Sequence, residues 1–137
     1  MSLTVGVYTP AEVTEDELLR LLAGIGAELH PDQWTSAVLS RGAQHVWITI
    51  GPADTEELLE PDDAARITHL LGGPAGLETE LRVSTVDGRR PPGPAVEIVT
   101  AIAARHQVAV FGEQTVFGPA ELRSRSAAGG SAADVFR

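Results

Sequence analysis

The sequence predicts one α/β domain whose elements run β-α-β-β-α-β, followed by an α-β-β-α extension. Three observations carry this. Apolar and polar residues alternate around residues 3–8, 34–50 and 79–86. Two stretches of helical period, each with a start signal, separate those runs. The 137 residues are the length of one ordinary domain, which buries roughly two-thirds of the surface its unfolded chain exposes.

The elements follow in order. Leu3, Val5 and Val7 alternate with Thr4, Gly6 and Tyr8, as in a half-buried strand. Thr14-Glu15-Asp16-Glu17 fits a capping box, Leu18, Leu19, Leu21 and Leu22 continue the helix, and Gly24 can end it. Trp34–Ser40 and Ala43–Ile50 read as strands around a two-residue turn at Arg41-Gly42, and Pro52 closes the second. A second helix starts near Pro61, with Asp62 and Asp63 at the positive end of its dipole. Ile67, Leu70 and Leu71 form its stripe, and Gly72-Gly73-Pro74 stop it. Residues 79–86 alternate again.

That order is the ferredoxin-like split pattern, in which two helices cover one face of a four-stranded antiparallel sheet. Beyond it, residues 87–93 form a polar loop and Pro94 opens a third helix carrying Val96, Ile98, Val99 and Ile102. Val108–Phe111 and Gln114–Phe117 make a short strand pair, and Gly118-Pro119 start a last helical turn. Residues 1–123 are thus expected to form a single domain. Residues 124–137, mostly Ser, Ala and Gly, are expected to be a flexible tail.

A turn at Arg41-Gly42 would set Val38 opposite His45 and Ser36 opposite Trp47. Alternation then sends Ala37, Leu39, Val46 and Ile48 to the helices and Trp34, Val38, His45 and Trp47 to the other face. The same parity on the outer strands adds Tyr8, Glu80 and Arg82. The open face would therefore hold both tryptophans and the single tyrosine of the chain, residue types that anchor protein interfaces. The competing expectation is that the third helix and the final hairpin cover this face, or that two copies pair through it.

The formal charge is −9 and all ten basic residues are arginine. Such a charge repels nucleic-acid phosphates and anionic lipid and favours a basic partner. A dense acidic stretch, Asp54, Glu56, Glu57, Glu60, Asp62 and Asp63, reads as a solvated loop or as a patch for that partner. Without cysteine the chain has no disulfide, thiol nucleophile or cysteine metal site, and without lysine it has no P-loop or Schiff base. The N-terminus carries no signal-peptide pattern, and no apolar run is long enough to span a bilayer, so a cytoplasmic location is the expectation.

His30, His45, His69 and His106 lack metal-ligand spacing, no Ser lies in a nucleophile elbow, and Gly24-Ile25-Gly26 lacks the third glycine of a dinucleotide fingerprint. No catalytic residue, metal or cofactor is expected.

Residues 95–122 form a helix of short residues, an Arg-His step, a strand, a tight Gly turn, a strand and a Gly-Pro-Ala-Glu-Leu helix start. With the hairpin at 34–50, this layout resembles small bacterial immunity-type proteins that neutralise a sibling toxin. The resemblance covers residues 34–123, rests on layout, size and acidity, and transfers no functional residue. It implies a stoichiometric inhibitor that masks an effector's active site.

The expected function is therefore an acidic protein-binding module, and the resemblance implies this inhibitory kind. Its candidate contacts are Tyr8, Trp34, His45, Trp47 and Arg82 on the sheet, and Glu56, Glu57, Asp62 and Asp63 in the acidic stretch. The alternatives are a small ferredoxin-like dimeric enzyme using His45 with Trp47 or Tyr8, and an ACT-like small-molecule regulator. The second usually needs a glycine in the loop after the first strand, and residues 9–16 have none.

Overall fold

The computed structural model describes residues 2–30, 35–42, 44–84, 93–129 and 132–137. The first strand, β1 (Ser2–Pro10), leads through a turn into α1 (Glu15–Gly24). The capping box forms there: the Thr14 hydroxyl accepts the Glu17 N–H at 3.2 Å. A two-residue strand, β2 (Glu28–Leu29), precedes the hairpin of β3 (Ala37–Arg41) and β4 (Gln44–Pro52). Part of the acidic stretch is helical as α2 (Thr55–Leu58), capped by the Asp54 carboxylate, which accepts the Glu57 N–H at 3.4 Å. Then α3 (Pro61–Leu71) begins on its proline and stops at Gly72, whose φ of 72° is left-handed. The chain continues through β5 (Ala75–Ser84), α4 (Gly93–Ala103), β6 (Ala109–Phe111), β7 (Val116–Phe117), α5 (Pro119–Ala127) and α6 (Ala132–Val135). The loop expected at 87–93 falls, up to residue 92, outside the described residues.

All seven strands join one antiparallel sheet in the order β2-β3-β4-β5-β1-β6-β7. The chain is mixed α/β as expected, but its strand order departs from the ferredoxin-like split pattern. That pattern would seat β1 between the hairpin and the last strand. Here β5 stands between β4 and β1, and the final hairpin extends the sheet beyond β1.

The helices also divide differently. The two expected to share one face lie on opposite faces. On one, α1 and α4 cover Leu3, Val5, Val7, Leu39, Val46, Ile48, Leu81 and Val83, the main core. Four apolar residues of α4 (Ala95, Ile98, Val99 and Ile102) are fully buried there, so α4 occupies the place expected for the second helix. On the other face, Tyr8, Ala109 and Val116 make a second apolar area, and Ile67 and Leu71 of α3 close it. The physical cause is β6–β7: it widens the sheet on the β1 side and gives α3 something apolar to cover.

In the hairpin, Arg41 pairs with Gln44, Ser40 with His45 and Val38 with Trp47, so Arg41 belongs to the strand and the turn begins one residue later than expected, at Gly42. Gly42 has a φ of 62°, a conformation the turn needs and glycine adopts without strain. The shift changes each partner by two positions. It therefore preserves which face each side chain takes, and Val46 and Ile48 are buried while His45 and Trp47 are exposed.

The C-terminus is folded, contrary to the expected flexible tail. Val135 and Phe136 are buried in the main core. The Phe136 carbonyl accepts the Glu113 N–H at 2.7 Å and the Arg137 carbonyl accepts the Gln114 N–H at 2.9 Å. Arg125 lies 4.1 Å over the Phe117 ring and donates to the Val135 carbonyl at 3.1 Å. Gly112 makes room for this: a Cβ there would fall 2.0 Å from the Phe136 carbonyl oxygen.

Candidate protein-binding face

Among the described residues, α3 packs on the face shared by Tyr8 and Trp47 at one end of the sheet. A row of cross-strand neighbours, Val38, Trp47, Arg82 and Thr4, runs over β3, β4, β5 and β1. The next row holds Thr49, Glu80, Gly6 and Phe111, and the third holds Gly51, Glu78, Tyr8 and Ala109. The helix α3 lies over the β1–β6–β7 end of these rows. At the β3–β4–β5 end His45, Trp47 and Arg82 are exposed and Val38, Thr49 and Glu80 half-buried.

Trp47 stands at that end, 40% exposed. Its ring is 5.9 Å from the His45 ring at a tilt of 43°. The His45 Nδ1 is 2.7 Å from the Ser40 hydroxyl, which steadies the imidazole. Among the described residues no carboxylate pairs with His45, so a serine–histidine dyad lacks the third group that would orient it. Arg82 is exposed and reaches Glu80 Oε1 at 3.9 Å, a loose surface pair.

Tyr8 belongs elsewhere. It was expected on the open face with the tryptophans, but it is only 5% exposed and packs under α3 with Ile67, Leu71, Ala109 and Val116. Its hydroxyl donates to Glu78, and burial, with the Glu78 and Glu80 charges, holds it well above the usual phenol range. Burial and the charge of Glu80 likewise raise Glu78, against the hydrogen bond from Tyr8. Gly6 leaves the space, since a Cβ there would sit 3.1 Å from Glu78 Oε1 and 3.3 Å from the Tyr8 ring.

Trp34 lies outside the described residues. Of the acidic candidates, Glu57 and Asp62 are exposed and Asp63 is half-buried, while the side chain of Glu56 lies outside the described residues. Ala53 and Leu59 pack with the Tyr8 cluster, which brings the acidic stretch to the same side of the sheet as Trp47. Leu58, which sequence reasoning passed over, is 74% exposed in the middle of that stretch. The signal was available: Leu58-Leu59 is an apolar pair inside an acidic run, and only one member can be buried by a single-turn helix.

The chain matches no protein-family model, no curated protein and no solved structure. Among the described residues, no group of three His, Asp or Glu side chains could hold a metal, and no helix is long and apolar enough to cross a membrane.

Proposed function

We propose that the chain is a protein-binding module whose sheet face around Trp47 docks a basic protein, in the manner of an immunity-type inhibitor. The observation that carries this is Trp47, a large aromatic exposed on the sheet beside the exposed Arg82 and His45. A large aromatic with a polar handle, flanked by Val38 and Thr49 and rimmed by Glu80 and Arg82, has the make-up of an interface centre. The charge of −9 and the acidic stretch on the same side favour a partner of opposite sign. An inhibitor needs no catalytic set of its own; it acts by occupying the partner's working surface.

The test is a comparative capture with the wild type and Trp47→Ala as baits. The expected result is a basic protein held by the wild type and lost by the variant. That purified protein should bind with one-to-one stoichiometry and shield Trp47 from a fluorescence quencher. A concentration-dependent dimer in sedimentation, broken by Trp47→Ala, would instead assign the face to a second copy. Turnover of a small molecule without any protein partner would contradict the reading.

A further inference from the structure

On the opposite side of the sheet from Trp47, α1 and the end of α4 enclose an open groove of about 690 Å³. One stripe of α1 lines it, Glu17, Arg20, Leu21 and Gly24, at the spacing that puts residues on one helix face. Ile25 and Ala101 complete an apolar floor with Leu21, and Arg105 and His106 form the far wall. The groove is thus cationic in a strongly acidic chain.

Arg20 and Arg105 make no ion pair among the described residues. The bland role for such arginines is to neutralise the carbonyl ends of the two helices. Several of those carbonyls already have backbone or Arg41 partners. Leu22 and Ala23 accept the N–H groups of Ala27 and Gly26 at 3.0 and 3.1 Å, and the Ile25 carbonyl accepts Arg41 Nη2 at 2.6 Å. At the end of α4, Thr100 accepts the Ala104 N–H and Ile102 the N–H groups of Arg105 and His106. Among the described residues of the wall the one carboxylate, Glu17, sits 3.6 Å from His106 Nε2 and pairs with neither guanidinium.

Gly24 is the second observation. Gly24 is the last residue of α1 and lines the groove. Neither packing nor backbone geometry demands a glycine here: a Cβ at Gly24 meets nothing within 4 Å, and its φ is not left-handed. A larger side chain at this position would project from the wall of the groove.

We propose that this groove binds a small phosphate monoester, its oxyanion held by Arg20 and Arg105 and its apolar portion resting on Leu21, Ile25 and Ala101. Planar guanidiniums suit the bidentate recognition of a phosphate, and both are free to turn toward it. This site is independent of the protein-binding face.

Phenyl phosphate is a suitable probe, titrated into the isotope-labelled full chain at low salt while amide shifts are followed. The expected result is saturable shifts confined to residues 17–25 and 101–106, with none from phenol. Arg20→Gln and Arg105→Gln should each raise the Kd about tenfold or more. Gly24→Leu should fill the groove and abolish binding while leaving the melting temperature equal or higher, which separates blockage from misfolding. Absence of saturable shifts up to about 10 mM phenyl phosphate, or binding that Gly24→Leu and the arginine variants leave unchanged, would overturn the proposal.

Discussion

Trp47 stands directly across the β4–β5 pair from Arg82, and both side chains are exposed. With Val38 on the other flank of Trp47, an aromatic lies between an aliphatic and a cationic neighbour on a face open to solvent. Trimming such a surface costs less in the free protein than in a complex that buries it. Trp47→Ala is expected to lower folding stability by about 1–3 kcal/mol, leaving the chain folded. It is expected to raise the Kd for the partner by about thirtyfold or more, mostly through faster dissociation. Chemical denaturation and stopped-flow binding check the two halves.

The acidic stretch should act on encounter rather than on residence. Converting Glu56, Glu57, Asp62 and Asp63 together to their amides is expected to slow association by about tenfold at low salt and flatten its salt dependence, with little change in dissociation. Screening over about 10 Å at 0.1 M salt would bring the two association rates together. An unchanged association rate at low ionic strength would remove the steering role.

Much of this was legible in the residues. Alternation placed Val46 and Ile48 inward and Trp47 outward, and it survived a misplaced turn because moving the turn by one residue shifts each pairing by two, which keeps parity. The Thr14 cap, the Pro61 start and the Gly72 stop were local signals, and local hydrogen bonds realise them. Tyr8 was not legible. Its parity was right, but its burial depends on β6–β7 pairing beside β1, a contact about a hundred residues away along the chain, and on α3 crossing to that face. The C-terminus failed for a related reason. Val135 and Phe136 are two apolar residues after a Ser/Ala/Gly run, too few for a periodic pattern, yet they fill a space that Gly112 and Phe117 leave.

That space gives a stability prediction. Phe136 is fully buried, so Phe136→Ala is expected to cost about 3–5 kcal/mol. Gly112→Ala should cost a comparable amount by driving its Cβ into the Phe136 carbonyl and breaking the Glu113 bond. Because both act by displacing the same segment, the double variant should fall well short of the sum. Urea denaturation of the three variants decides it.

Glu78 sets a pH dependence. Its folded pKa is raised, first by burial and then by Glu80, so the protonated carboxyl favours the folded state. The associated stability is fully present below the ordinary glutamate pKa and is lost as the pH rises through the raised folded value. Glu78→Gln can still accept from Tyr8 and removes the charge. It is expected to melt higher than wild type at pH 7, with the gap closing as the pH falls toward 4. A gap that is constant with pH would show that Glu78 acts through packing alone.

The most direct test of the central claim is amide-shift mapping of the labelled chain against the captured basic partner. Shifts and line broadening should centre on Val38, His45, Trp47, Thr49, Glu80 and Arg82, with weaker effects along residues 54–63 and none in the groove of Arg20 and Arg105. Perturbations that centre on α1 and α4, and leave the Trp47 indole signal unmoved at saturation, would contradict the account.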